Sequence, residues 1–519
     1  FQVFNLTLQN HHWDLNAIPG NAYNACLSLT TLPAALQQLT GITAEYIFKF
    51  FYQIVFALTA VVIYLLGRRF ADTRGAFLVG LFYVAQAQFI GTMPAIVRQQ
   101  LGLLFFALII YLLIEKERMT RARGILIGLL SAGMVFSHYS TSYITIFFLL
   151  ATATVLWTLK IKFVRRRLPE FKPVLSAVSV TVLAAALMGM SYVWYSVVNS
   201  SSSNLSTTLS ASWRTLTSLD YTKGYTVDKD GNKTRMLLGG NRESAKKEDV
   251  TAYKNSLGIK EPIKYAEVGT LPAKNGAAVW SADRIRDVLA LVVKILLPLS
   301  PLLLLVFKKT RMQVADLSFL GLGALATFVA FVFLPVLSQS YNLERVLQQA
   351  LILLSLTGLW ALWFILPARK QLNTVITTAF VLAFFLFSPG TGLVNQMIGG
   401  TTPRMNMNSL GEEYQKYYVH ESEVKSAEWL KENCKGQAVW ADRYATLRVT
   451  AYAGVPYDSI RSDILKANKG CLMLDRTNTQ NDLYYASYKK RTVRYTVPTE
   501  TFDAYDLIYS NGDSKVYQY

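Results

Sequence analysis

Apolar runs close to 20 residues recur along the first four hundred or so positions, and a hydrocarbon core roughly 30 Å thick demands runs of that length from any helix that crosses it. They fall near 45–66, 75–93, 101–114, 124–137, 142–159, 174–198, 287–307, 316–337, 346–366 and 372–388. Charged residues make up 16% of the chain and hydrophobic ones 52%. A soluble domain carries about a quarter charged residues. Lipid is therefore the expected solvent for most of this sequence, and the fold class is mainly α: a polytopic transmembrane helical bundle.

The net charge of +19 raises the question of a nucleic-acid partner, and its distribution answers it. Five short connectors, 68–74, 115–123, 160–172, 308–311 and 369–370, hold eighteen Lys or Arg against four acids. They fall at every second junction, while the alternate short connectors carry only Arg98 and Arg345. The positive-inside rule then orients all ten spans without contradiction. Residues 1–44, the loop 199–286 and the tail from 389 come out on the outer face. The tail holds sixteen basic and fifteen acidic residues and the loop fourteen and nine, so neither has the composition of a polyanion-binding domain. The segments 45–198 and 287–388 form the two membrane blocks, and the plasma membrane is the expected location. Phe1 opens within an amphipathic pattern, and an even number of spans starting outside implies a preceding helix or a cleaved signal, the helix being favoured.

The loop is polar, with Ser200 to Ser203 in a row and a turn signal at Asp230-Gly231-Asn232, and reads as an external segment with little core of its own. In the tail, Val424, Ala427, Trp429 and Leu430 suit a helix and Gln437 to Ala441 a short buried strand, which points to a small external α/β domain. Cys434 and Cys471 share that domain and are candidates for a disulfide, with isolated cysteines as the simpler reading; spacing does not decide between them. Four Asn-x-Ser/Thr matches, at Asn5, Asn199, Asn204 and Asn232, carry no functional weight in Ser-rich sequence.

Ionisable groups at the membrane surface are costly and usually serve a purpose. Four clusters stand at the outer ends of the spans. His11, His12 and Asp14, flanking Trp13, are candidate ligands for a divalent metal such as Mg or Mn, against the alternative of an interfacial loop anchored by Trp13. Met93 to Gln100 contains a helix-breaking Pro94 and the charge of Arg98, with Gln99 beside it. Arginine at this depth can clamp a lipid phosphate through two parallel hydrogen bonds, or simply reach ordinary headgroups. Ser137-His138-Tyr139-Ser140-Thr141-Ser142 is a polar break between two apolar runs. His138 there can orient a substrate, bind a metal or relay a proton, or be a hydrogen-bonded turn residue. The fourth cluster comprises Gln339, Tyr341, Asn342, Glu344, Arg345, Gln348 and Gln349. Glu344 and Arg345 adjoin, so one faces a ligand while the other faces water. Phosphate-binding glycine loops, His-Glu-x-x-His and nucleophile elbows are missing from the sequence.

Several of these segments carry a resemblance. Trp13 through Pro33, Pro94 through Gln100, Phe136 through Thr141, Tyr341 through Arg345, Ala427-Glu428-Trp429-Leu430 and Ala441-Asp442-Arg443-Tyr444 together resemble an uncharacterised family of prokaryotic multi-pass proteins similar to the GT-C glycosyltransferases. The resemblance implies an enzyme that takes a sugar from a polyprenyl-phosphate donor on the outer side of the membrane. Its acceptor would be a glycan, a lipid or a protein. It also implies an essential acid in the first external loop, expected before Phe1, for which Asp14 is a poor substitute. Arg98, Gln99, Tyr139, Tyr341, Asn342 and Arg345 would bind substrate and His138 would orient it. A transporter or flippase, or a polymerase of lipid-linked glycans, is the competing reading. A transporter should show mid-membrane polar groups and repeat symmetry, neither of which is clear here, although Lys294 and Asp316 lie within or beside spans.

Overall fold

Each of the ten apolar runs contains a helix: α1 (Ala44–Arg68), α2 (Thr73–Val84), α3 (Val97–Leu113), α4 (Arg121–Ser137), α5 (Tyr139–Thr158), α6 (Ala177–Val198), α7 (Gly276–Val306), α8 (Ala315–Phe333), α9 (Leu343–Ile365) and α10 (Lys370–Phe387); the run 75–93 is broken after Val84 and resumes in a separate short helix, Ala87–Thr92. The structure is a computed structural model that describes residues 1–18, 21–92, 97–114, 120–161, 173, 175–199, 225–227, 233–235, 247–258, 263–266, 276–306, 315–333, 343–366, 370–400, 412–488, 491–502 and 504–519. Six helices, α1 and α5 to α9, are each long and apolar enough to cross a membrane, while α2, α3 and α10 are shorter apolar helices.

The chain divides into two units. One contains Val3–Gly239 and Ala273–Met405, and the other Phe1–Gln2, Gly240–Pro272 and Asn406–Tyr519.

In the helical unit, polar residues of the connectors start the helices. Asp72, Thr120 and Ser176 each accept a hydrogen bond from the backbone N–H three residues on, capping α2, α4 and α6. Along α1, Tyr46, Phe50, Ile54, Leu58, Val61 and Leu65 form an exposed stripe at helical spacing, the face suited to lipid, while Tyr52, Phe56, Ile63 and Leu66 turn inward. Two helices occupy the centre. The most apolar stretch of α9 is 78% buried and that of α5 61%, against 33–50% for the other four long helices. Small residues let α5 be so enclosed. A side chain at Gly323 of α8 would run into Thr152, and one at Gly102 of α3 would meet the Thr141 and His138 side chains at 3.3 and 3.4 Å. Within α5, Thr145 and Thr152 return their hydroxyls to carbonyls four residues back, which lets polar side chains lie in an apolar bundle.

The second unit is α/β. A five-stranded mixed sheet and a three-stranded antiparallel sheet are built from β1 (Lys264–Tyr265), β2 (Val439–Ala441), β3 (Ile460–Arg461), β4 (Cys471–Leu474), β5 (Tyr484–Tyr488), β6 (Arg491–Thr496), β7 (Asp506–Ser510) and β8 (Lys515–Gln518). The larger sheet has the order β3-β2-β4-β8-β7, with β2 parallel to both its neighbours, and the smaller has β1-β6-β5. The predicted tail helix is α11 (Glu421–Asn433), and the predicted buried strand is β2.

Part of the polar loop belongs to this unit. The helix Lys247–Leu257 buries Val250, Tyr253 and Leu257 in one core with Tyr484, Val493, Tyr495 and Phe502, and β1 pairs with β6. Three apolar residues at 250, 253 and 257 make a single buried stripe that has no partner within the loop itself, so the loop reaches the tail to cover it. The Tyr253 hydroxyl donates to Asp463 Oδ1 at 3.1 Å, and Arg494 donates to the Ala266 carbonyl at 2.6 Å. Tyr225–Val227 and Lys233–Arg235 form an antiparallel pair on either side of the predicted turn, whose own residues lie outside those described.

Cys434, which ends α11, is bonded to Cys471 at the start of β4. The simpler reading of isolated cysteines is therefore corrected: α11 packs against β4 and brings the two Cα atoms to 6.2 Å, a proximity that spacing along the chain does not encode.

Beneath the α11 face lies a buried charged cluster. Arg448 approaches Glu423 at 3.4 Å and Asp475 at 3.7 Å and donates to the carbonyls of Lys416, Tyr444 and Tyr418 at 2.9–3.0 Å. Asp442 accepts from the backbone N–H groups of Tyr444, Ala445 and Tyr485 and from the Asn478 amide. Burial pushes the Asp442 carboxyl up to about 6, with Asp475 adding to the rise. Burial likewise holds Asp475 above the usual carboxylate range, against the pull of Arg448.

Candidate functional site

His138 stands between two helices, as the cap that ends α4 and the cap that begins α5. It closes α4 by donating its N–H to the Met134 carbonyl at 3.0 Å, and its extended backbone (φ −159°, ψ 113°) then opens α5. Its ring caps α5: Nδ1 accepts from the Thr141 N–H at 3.3 Å and lies 2.7 Å from the Thr141 hydroxyl. An Nδ1 that accepts from a peptide N–H is unprotonated, so in the neutral ring the proton resides on Nε2. That Nε2 is fully buried and has no partner among the described residues.

Three helices start at this level. Gly102, in the second turn of α3, lies against His138 and Thr141, and Gln349, in the second turn of α9, donates to the Thr145 hydroxyl of α5 at 2.7 Å. Arg98 stands four residues before Gly102 and Arg345 four residues before Gln349. Each guanidinium is thus carried one turn beyond a contact with α5, on the same side of its helix. They converge there. Both lie within electrostatic reach of the His138 ring and of one another. Arg345 hydrogen-bonds the Tyr139 hydroxyl, and the Arg98 guanidinium stacks over the Tyr23 ring at 4.3 Å. The Nε of each arginine is buried without a partner among the described residues.

The segment before α1 closes this end. Leu27 N–H donates to the Phe136 carbonyl at 2.8 Å and the Ser28 hydroxyl to that of Ser137 at 2.8 Å, docking residues 23–28 on the α4–α5 junction. Trp13 and Asn24 tie the preceding turn together, since the indole N–H donates to the Asn24 carbonyl and the Asn24 amide to Asp14 and Leu15 carbonyls. Cys26 sits beside Arg98 and accepts the Tyr139 N–H; burial pushes its thiol up to about 12, which rules it out as a neutral-pH nucleophile.

Of the sequence candidates, the structure brings Arg98, His138, Tyr139 and Arg345 together and places the buried Gln99 on the same part of α3. Glu344 is exposed whereas Arg345 is half-buried, so the arginine is the inward member of that pair. Tyr341 and Asn342 lie outside the described residues. The metal reading of His11 and His12 is not supported by their surroundings. Both are exposed, His12 Nδ1 is 2.7 Å from the Asn10 carbonyl, Asp14 accepts from its own turn at Asn16, and among the described residues no group of three or more His, Cys, Asp or Glu can hold a metal ion. Adjacent side chains in a tight turn splay apart rather than converge. Sequence reading missed Tyr23 as a partner of Arg98; only the tertiary docking of residues 23–28 reveals it.

Residues 277–517 match the family model described as "Predicted membrane protein (DUF2206)". This agrees with the resemblance to an uncharacterised multi-pass membrane family. No curated protein matches the chain. Among solved structures the chain is similar to an oligosaccharyltransferase of Archaeoglobus fulgidus tethered with an acceptor peptide, with 11% identity, TM-score 0.45, 92% of this chain covered and 64% of the other. It therefore spans under two thirds of that protein's length. It is also similar to the A. fulgidus oligosaccharyltransferase AglB in complex with an inhibitory peptide and a dolichol-phosphate (13% identity, TM-score 0.42, 96% and 70% covered). A third similarity is to ArnT of Cupriavidus metallidurans bound to undecaprenyl phosphate (9% identity, TM-score 0.41, 96% and 93% covered).

Proposed function

We propose that this protein is a membrane glycosyltransferase that takes a sugar from a polyprenyl-phosphate donor and transfers it to a glycan or lipid-linked acceptor on the outer face of the plasma membrane. The observation that carries the reading is the pairing of Arg98 and Arg345 over the start of α5. Two like charges converge where three helices begin, each turning the positive end of its dipole toward them, an arrangement that a bound anion stabilises. Tyr139 and Tyr23 hold the guanidinium planes, leaving donors directed at the ligand.

In such a transfer the bond between the anomeric carbon and the phosphate oxygen breaks, and negative charge grows on the departing lipid phosphate. Fixed positive groups at that position stabilise the transition state more than the ground state. The acceptor hydroxyl becomes the new glycosidic oxygen and surrenders its proton to a general base. Arg98 and Arg345 stabilise the leaving group in this scheme, and His138 offers its Nε2–H to an oxygen of the donor.

Replacing either arginine by Lys keeps the charge and removes the planar fork. In membranes bearing the full chain, Arg98→Lys and Arg345→Lys should each slow consumption of a labelled polyprenyl-phosphohexose by roughly tenfold or more, the equivalent of one strong hydrogen bond, at unchanged melting temperature. Wild-type rates in both variants would reduce the pair to headgroup anchors.

A further inference from the structure

Buried polar atoms are almost always hydrogen-bonded, so a side chain with a buried polar atom that lacks a partner calls for an explanation. Two such side chains lie at the same end of the bundle as the arginines. Gln99 is 1% exposed, and neither its carbonyl oxygen nor its amide nitrogen has a partner among the described residues; the same holds for Nε2 of the fully buried His138. Their placement follows from helix geometry. Gly102 marks the line along which α3 meets His138 and Thr141. At about 100° per residue, Gln99 and Arg98 lie one turn before it, flanking that line on opposite sides. Side chains on a helix lean toward its N-terminus, so both are directed toward the level of the His138 ring at the start of α5.

The chemistry of the unmet groups discriminates among ligands. His138 Nε2–H and the Gln99 amide N–H groups need an acceptor, which a phosphate oxygen supplies. The Gln99 carbonyl needs a donor, which an ionised phosphate cannot supply. A hydroxyl group gives and takes, and a ligand carrying several hydroxyls next to an anion meets all of these groups at once. We propose that Gln99 and His138 Nε2–H form an uncharged subsite that binds the hydroxyl groups of the sugar joined to the donor phosphate. The proposal rests on the glycosyl-transfer reading and makes Gln99 a specificity-determining residue within it.

The test uses the full-length protein in lipid nanodiscs and two probes, a polyprenyl phosphate and the same lipid carrying a hexose on its phosphate. Gln99→Met keeps the side-chain length, and Gln99→Asn stays polar and uncharged but too short to reach, should an apolar residue impair folding. Both should weaken binding of the phosphohexose by roughly tenfold or more, the equivalent of one lost hydrogen bond, while binding of the bare phosphate stays within about twofold. Arg98→Ala should weaken both probes. Unchanged phosphohexose binding in the Gln99 variants, or an equal loss for both probes, overturns the subsite and leaves the phosphate reading standing. Failure of the wild type to bind either probe, or an Arg98→Ala variant that binds both normally, overturns the phosphate reading itself.

Discussion

Replacing Arg448 by Met removes the lone buried cation of the cluster in the α/β unit while retaining most of its volume. Arg448 is 2% exposed, makes three short bonds to carbonyls and stands between Glu423 and Asp475, which are 0% and 1% exposed. Taking away one partner of a buried ion pair costs about 3–5 kcal/mol, because the remaining charge is left without compensation. That cost depends on pH. Burial already holds the Asp475 carboxyl above its ordinary value, with Arg448 pulling the other way. A carboxyl raised in the folded state contributes stability that is complete below its unfolded value of about 4 and is lost as pH rises through the folded one. Without Arg448 the folded value climbs further, so the loss continues to higher pH. Arg448→Met should therefore lower stability by about 3–5 kcal/mol at pH 7.5 and by distinctly less at pH 5, where the Asp475 carboxyl takes up a proton. Hydrogen exchange of peptides covering β2 and β4 in the intact protein, corrected for intrinsic rates, reads this opening directly. Asp475→Asn in the same background should recover part of the loss at pH 7.5. An equal penalty at both pH values would show that Arg448 contributes packing rather than charge, and a penalty under about 1 kcal/mol at pH 7.5 would refute the reasoning.

Two further outcomes follow from the geometry. Replacing both Cys434 and Cys471 by Ala should destabilise the α/β unit by about 4 kcal/mol on the chain-entropy model, given their separation of 37 residues, as measured by the same exchange experiment. A cysteine introduced at the exposed Ser510 should react with a membrane-impermeant thiol reagent in intact cells and one at Thr310 should not, against a low background because Cys26 is buried and the other two cysteines are bonded; labelling at Thr310 alone would reverse the orientation.

The helical unit was legible because lipid imposes its own length on a sequence. Each apolar run contains a helix, and polar breaks at Arg98 and at Ser137 to Ser142 marked where buried polar side chains gather. Those breaks did not reveal that Gly102 and Gln349 pin two helices to α5, since a close approach depends on three-dimensional register. The stripe Val250, Tyr253, Leu257 was masked by charged neighbours, and its partner lies more than two hundred residues away at Tyr484 and Tyr495. Asp442 was visible only as part of a family-like motif; its four hydrogen bonds explain it as the organiser of the turn after β2.

The common starting level of α3, α5 and α9 means that part of the positive character at this end of the bundle is made of peptide groups. No substitution of a side chain removes those, and no change of acidity discharges them. The arginines add side-chain charge to it. For the proposed anion site, replacing its side chains one at a time therefore erodes binding by degrees instead of switching it off.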